Sequence, residues 1–502
     1  MFASALLDSV SSGVGGRRPA LGSKRRRLLP ASVARRGAGV ELAVAVVVFA
    51  VYSAASLLRF ARYGAGIDLG LFGQAVRGYA SGTMPWSSLK AGAGFNLLGD
   101  HFSPIVAVLA PLYYLWPHIQ LLLLAQAALI AWATFVVTRL AHQTFDRPGA
   151  ACVGFAFGFG WGISALALFD FHEVAFALPL LASSLVAARD GRWRKAVCWA
   201  LPLMLVKEDS AFLLFGIAIY AFVAGQRRLG VWLATCSVAS FGLLTLVIIP
   251  HLSFYGRYTY WAAAGTGGSN SVTASVGVVV ANLRHAFTGG QAMLVLLLLL
   301  GTCLLLPLRS PMIVVVVPSL LARFATANSS YWGPHFQYNA TIMVVAFVAA
   351  LDAISRGLGV PGTAVWRRHR HVPVLMLVAA VVTLAWSPLR PYLSASEYKC
   401  ETCRAAGEAL AIVPSGVTVA ASTDLVDHLV DRDQVQLLET DLLDSTGRPI
   451  DARWVVMELG GADSGMSISA AEATLSSLEG RGYVPISNIG GYVVLTAVSG
   501  DG

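Results

Sequence analysis

The stretch 39–58, GVELAVAVVVFAVYSAASLL, carries one charge, Glu41, in twenty residues. At about 1.5 Å per residue, such a run spans a hydrocarbon layer of roughly 30 Å as a helix. Its Val, Ala and Leu do not alternate with polar residues, which argues against a barrel strand. The same character extends along the chain, with 56% hydrophobic and only 13% charged residues in 502, so a polytopic helical membrane protein is expected.

Further spans are predicted near 119–139, 150–168, 174–188, 196–206 continuing into 210–224 as a broken pair, 229–250, 291–307, 311–325, 338–353 and 372–387. This makes about eleven crossings. The segment 103–117, SPIVAVLAPLYYLWP, is short and bounded by Pro104 and Pro117, and reads as a re-entrant or interfacial helix. The transmembrane domain is thus 39–387, with a long first external loop at 59–118.

The net charge of +9 resolves into two opposite ends. Residues 1–36 hold eight Lys or Arg against Asp8, whereas 388–502 hold seven basic and sixteen acidic side chains. The segment 1–38 reads as a basic, disordered cytoplasmic tail without the cleavage signature of a signal peptide. The charge is a topology signal, and no nucleic-acid partner is expected. Basic loops at 139–147, 189–195, 226–228, 309 and 356–371 fall on the tail's side, which places 388–502 outside the membrane.

That topology gathers the polar clusters on the external face. They are Asp68, Asp100 and His101 of the first loop; Asp170, His172 and Glu173 in FDFHE; Lys207, Glu208 and Asp209 in VKEDS; His251, Arg257 and Tyr260 in PHLSFYGRYTYW; and His335, Gln337 and Tyr338 in PHFQYN. Ionisable groups at membrane depth cost on the order of 3 kcal/mol or more and normally face a cavity or a partner. Lys207 to Asp209 interrupt a hydrophobic stretch, as in cavity-lining broken helices, though an ion pair that only holds helices together is the alternative. In FDFHE, Asp170 and Glu173 suit a helix cap, while Asp, His and Glu within four residues could also hold a divalent cation, the one candidate cofactor. The aromatic residues around His335 suit either an interfacial belt or a rim that stacks on a sugar.

Residues 388–502 change character. GVTVAAS, QVQLL, ARWVVMEL, YVPIS and GYVVLTAV read as strands, with NIGG as a hairpin turn, and 404–413, 423–430 and 468–480 read as helices. A small soluble extracytoplasmic α/β domain follows. It holds no phosphate-binding loop of the GxxxxGK type, and its expected role is to cover the membrane cavity or contact a partner. Cys400 and Cys403 in EYKCETC could form a local disulfide there.

GIDLGLFGQAVRGYASG, GDHFSPIVAVLAPLYYLWP, FDFHEVAFALPLL and LVKEDSAFLLF together resemble a family of bacterial polytopic membrane proteins known as a domain of unknown function, over nearly all of the chain after residue 40. That family is similar in layout to the GT-C glycosyltransferases. The resemblance implies transfer of a sugar from a polyprenyl-phosphate donor to a cell-envelope glycan or protein acceptor at the outer face of the bacterial plasma membrane. Asp68 would be the general base, Asp100 and His101 would orient it or contact the acceptor, and Lys207 would pair with the donor phosphate. Asp170, His172, Glu173, Glu208, Asp209, His335, Gln337 and Tyr338 would, with Lys207, bind substrate. The loop departs from the GT-C pattern in having DL at Asp68 where DE or DxD is common, and FSP at Phe102 where a PPL-like run is common. Two other readings stand beside it: a transporter or flippase for a lipid-linked sugar, and a non-catalytic scaffold. An external cavity joining Asp68, Asp100, His172 and Lys207 favours the transferase.

Overall fold

The computed structural model describes residues 38–64, 66–91, 94–260, 272–357, 371–393, 400, 402–443, 448–460 and 466–497. The tail expected to be disordered therefore lies, but for Ala38, outside the described residues. Residues 39–502 form one compact unit.

Four described helices are long and apolar enough to cross a membrane: Gly39–Ala61, Gln120–His142, Arg227–Leu252 and Gln337–Gly357. Two bent pairs, Arg147–Gly158 with Trp161–Ala167 and Gly277–Thr288 with Gln291–Thr302, raise this to six if each is one span. The eleven expected crossings are not reached on length and composition. Shorter apolar helices at Ser210–Val223, Pro311–Phe324 and Val372–Trp386 account for part of the difference. The interruption at Lys207 does separate two helices, as expected, and Pro104–Leu115 is a short helix of its own.

The first long loop is more ordered than a loop reading implies. Ile67–Ala80 is an α-helix with Asp68 in its first turn, followed by a ribbon of β1 (Trp86–Ser87) and β2 (Phe95–Asn96). Its GxxG spacing explains itself sterically. A Cβ on Gly70 would stand 2.8 Å from Asp427 Oδ1, and one on Gly73 would stand 2.6 Å from Ile119 Cδ1. The glycines let this helix lie against the C-terminal region on one side and the membrane helices on another. Asp100 and His101 follow Gly99, whose missing side chain leaves room for the backbone of Leu252 and Ser253.

The C-terminal region forms a five-stranded sheet from β3 (Thr418–Ala421), β4 (Gln434–Leu437), β5 (Trp454–Glu458), β6 (Tyr483–Ile489) and β7 (Tyr492–Ala497). Their order is β4-β3-β5-β7-β6, parallel among β4, β3 and β5 and antiparallel beyond. The NIGG turn is the β6–β7 hairpin, with Gly490 and Gly491 at φ of 55° and 92°, where a Cβ is disfavoured. Successive strand residues point to opposite faces. Val419, Ala421, Val456 and Val494 join the core of the helical bundle, whereas Ala420, Val455, Met457 and Leu495 make a second core with Ala471 and Leu478 of the helix Ile468–Gly480. The sheet is thus a middle layer, which is why its strands read as nearly continuous apolar runs. Cys400 and Cys403 are joined in a disulfide at the start of the helix Cys403–Ile412.

Polar contacts fasten this region to the first loop. Arg77 Nη1 donates to Val430 O at 2.6 Å, Tyr113 Oη donates to Asp431 Oδ1 at 2.8 Å, and the Ile119 amide donates to Asp431 Oδ2 at 2.9 Å. His428 lies against Phe60 and Tyr63 with ring centroids 4.2 and 4.1 Å away, and its Nε2 donates to Phe60 O at 3.0 Å.

Burial lowers the His428 pKa from 6.5 to about 4, partly offset by the bond to Phe60. The docked ring therefore resists a proton that the free ring accepts. Stability from this contact should be complete above pH 6.5 and fall as pH drops towards 4. Thermal unfolding of the detergent-solubilised chain at roughly pH 7.5 and pH 5 should show the loss. His428→Phe, which keeps the ring contact, should reduce the acid sensitivity, and an unchanged pH dependence would count against the assignment.

Candidate functional site

Asp170 organises one end of the bundle. Its carboxylate, 2% exposed, accepts from Arg59 Nη1 at 2.8 Å and from the Gly66 amide at 2.9 Å. Arg59 closes the first span and Gly66 immediately precedes the helix that carries Asp68. A Cβ on Gly66 would stand 2.7 Å from Asp170 Oδ2, so glycine allows the approach. Gln126, within the span Gln120–His142, donates to Asp170 O at 2.8 Å and accepts from the His172 amide at 2.9 Å. These bonds set the extended segment from which His172 and Glu173 project. Asp170 is fully engaged in this framework.

From there a chain of ionisable groups crosses the site. His172 Nε2 faces Asp68 Oδ2 at 3.6 Å, His172 Nδ1 lies 3.8 Å from Glu173 Oε2, and Glu173 Oε1 is 3.1 Å from Lys207 Nζ. Glu173 is 1% exposed and Lys207 10%, while Asp68 keeps 34% of its side chain accessible. Phe169 stacks on His172 at 5.3 Å, and Phe72 meets that ring edge-on at 6.2 Å. These rings fix the imidazole between the two carboxylates. Burial raises the Asp68 pKa, reinforced by Asp170 and Glu173 and opposed by His172 and Lys90.

A second set pins the GDHF turn. Glu208, 1% exposed, accepts from the Phe102 amide at 3.1 Å and from Tyr258 Oη at 3.0 Å, and pairs with His101 Nδ1 at 2.7 Å. His101 stacks on Tyr260 at 4.2 Å, and Tyr260 Oη donates to Asp100 Oδ1 at 3.1 Å. Asp100 Oδ2 also takes a 2.6 Å contact from Lys90. Burial and Lys207 lower the His101 pKa, but Glu208 and Asp100 outweigh them and it is raised. Burial likewise opposes ionisation of Asp100, but His101 and Lys90 prevail and its pKa is lowered.

Most of the residues expected from the sequence meet here. Asp68, His172, Glu173 and Lys207 form one chain; Asp100, His101 and Glu208 form the other; and Asp209 is exposed beside them. Tyr338 packs on Tyr331 at 4.4 Å, within electrostatic reach of Lys207 and Asp68. Gln337 is buried, and its Oε1 lacks a hydrogen-bond partner. His335 is exposed and outside both chains. Among the described residues, no three His, Cys, Asp or Glu side chains are placed to hold a metal ion.

Arg59, Lys90, Gln126, Tyr258 and Asp427 were not expected. Gln126 had a visible signal, an amide inside LLLLAQAALIAW. Arg59 and Lys90 look like ordinary flanking cations until their partners are known. A cavity of about 310 Å³ adjoins the network, lined by Ile67, Lys90, Phe95, Asp100, Tyr255 and, from the C-terminal region, Glu439. Of the four residues expected to share a cavity it is lined by Asp100 alone; Asp68, His172 and Lys207 are not in its lining.

A profile of the family described as "Predicted membrane protein (DUF2079)" matches residues 62–494, and the chain belongs to that family. Comparison with curated proteins finds no match. Among solved structures, the chain is similar to ArnT from Cupriavidus metallidurans bound to undecaprenyl phosphate, at TM-score 0.51 and 14% identity over 92% of this chain and 98% of that one. It also matches the arabinofuranosyltransferase AftD from Mycobacteria at TM-score 0.40 and 15% identity, over 90% of this chain and 40% of AftD. The likeness to ArnT, a GT-C glycosyltransferase, is one of fold, and it agrees with the layout that the sequence resemblance implied.

Removing one member of a buried ion pair strands the other, at a cost of about 3–5 kcal/mol. Lys207→Met should destabilise the chain by that order, and adding Glu173→Gln should recover most of the loss. Chemical unfolding of both variants in detergent checks this, and equal destabilisation of the two would show that the pair is not an energetic unit.

Proposed function

We propose that this member of the DUF2079 family is a membrane glycosyltransferase that moves a sugar from a polyprenyl-phosphate donor to a hydroxyl of an envelope glycan or protein at the extracytoplasmic face of the bacterial plasma membrane. The observation that carries the reading is the gradient of accessibility along Asp68–His172–Glu173–Lys207. Glu173 is sealed between His172 and Lys207, and Asp68 at the other end keeps an open carboxylate. A base must reach substrate, and a charge-stabilising cation must stay charged; the two ends suit these roles.

In the proposed reaction, Asp68 takes the proton of the acceptor hydroxyl as its oxygen attacks the anomeric carbon. The bond from that carbon to the phosphate oxygen breaks, and the polyprenyl phosphate leaves with the electron pair. Lys207 stabilises the negative charge gathering on the phosphate. His172 positions Asp68, while Asp100 and His101, held by Lys90 and Glu208, shape the acceptor side together with the adjoining cavity. Glu173, Glu208 and Asp170 hold this geometry, and Asp209, Gln337, Tyr338 and His335 supply polar and aromatic groups around the donor. Support comes from the GT-C-like fold, from the polyprenyl phosphate bound to ArnT and from the convergence of the clusters at one end of the bundle. In the same orientation the sheet domain lies outside the membrane, and the shorter apolar helices Ser210–Val223, Pro311–Phe324 and Val372–Trp386 add crossings to the longer ones.

Loss of a general base costs typically about 10²- to 10⁴-fold in rate. Asp68→Asn should lower incorporation of radiolabelled sugar from polyprenyl-phosphate donors in membranes by that factor, with insertion unchanged. Since the base acts deprotonated and its pKa is raised, activity should fall on acidification from a pH above the ordinary aspartate range. Full activity in Asp68→Asn removes this residue from the base role.

A further inference from the structure

A second concavity lies at the far end of the bundle. The helix Gln120–His142 meets Asp170 and His172 through Gln126, and thirteen residues later, about 20 Å along its axis, it presents Arg139. Here a pocket of about 260 Å³ opens among Gln120–His142, Ala177–Arg189 and Trp193–Ala200. Its rim carries Arg139, Arg192 and Lys195, and no carboxylate lines it. Arg192 is bound to Asp190 at 2.7 Å, whereas among the described residues Arg139 and Lys195 have no ion-pair partner. The floor is apolar, built from Val136, Leu140 and Val186. One wall is Trp199, which meets the 42%-exposed Trp132 edge-on at 5.8 Å.

Solvated lysines and arginines alone would make an ordinary basic surface. The combination here is different: cations around the mouth of a concavity, an apolar floor, and two tryptophans continuing from it onto the outer face of the bundle. This matches the two halves of a phospholipid, whose phosphate needs cations and whose chains need apolar contact. Tryptophan is at home at the level of the head groups. We propose that this pocket binds the phosphate head group of an anionic phospholipid, with its chains lying along Val136, Trp199 and Trp132. The site is separate from the Asp68 network and does not depend on the reaction proposed there.

The test is native mass spectrometry of the detergent-purified full chain titrated with dioleoyl phosphatidylglycerol, dioleoyl phosphatidylcholine or inorganic phosphate. Phosphatidylglycerol should bind more tightly than phosphatidylcholine, and Arg139→Gln with Lys195→Gln should weaken it by roughly 30-fold, two cations being removed. Arg227→Gln, an exposed cation on another helix, should leave binding unchanged. Equal binding of the two lipids, equal loss in Arg227→Gln, or displacement of the lipid by an equal concentration of phosphate would each overturn the proposal. Thermal unfolding of each variant separates a lost site from a lost fold.

Discussion

A carboxylate buried among membrane helices must find donors, because an unpaired charge there costs several kcal/mol. Asp170 finds them in Arg59 and Gly66, which lie before and after the turn leading out of the first span. The bond to Gly66 fixes where the next helix starts, and that helix has Asp68 in its first turn. The backbone around Asp170 is in turn held by Gln126, which also accepts from the His172 amide. The relative placement of Asp68 and His172 thus follows from how one buried aspartate is neutralised. Ring contacts of Phe72 with Phe171 and His172 add to the tie between the first loop and the FDFHE segment.

The same economy governs the C-terminal region. A sheet with one face in the bundle core and the other under its own helix cannot swing freely, since its first face has nowhere else to be buried. Its residues 426–430 reach the loop helix through contacts that Gly70 and Gly73 permit, and Asp427 lies beside Gly70, within electrostatic reach of Asp68. The region, expected to cover the cavity or contact a partner, contributes part of a cavity wall. This explains why the cavity at Lys90 and Asp100 has a residue from each region in its lining.

Features that depend on composition and period were legible in the sequence. The apolar runs, the strands at 418–421, 434–437, 454–458, 483–489 and 492–497, and the hairpin at Gly490 are local signals, and the polar clusters stood out against an apolar background. Span counting was less successful, because proline and 3-10 segments shorten several helices below crossing length and a hydropathy window does not register the break. The loop helix Ile67–Ala80 was missed for a related reason: three glycines depress its apparent propensity, and two of them, Gly70 and Gly73, serve close packing against Asp427 and Ile119, far away in the chain. Lys90, Arg59 and Tyr258 became meaningful only through partners distant in the chain. Residue type alone could not distinguish Asp170, which is consumed by the framework, from Asp68, which remains open.

On the proposed reaction, the ion pair at Lys207 is a mechanistic asset as well as a scaffold. A phosphate arriving at Lys207 competes with Glu173 for the same cation. Glu173 does not then stand alone, because His172 lies 3.8 Å from its other oxygen. Drawing His172 towards Glu173 weakens the attraction of His172 for Asp68, 3.6 Å away on the opposite nitrogen. His172 is among the groups that hold the Asp68 pKa down, so a weaker hold leaves a stronger base. Donor binding at one end of the chain would therefore sharpen the base at the other, and the coupling needs no movement of the backbone.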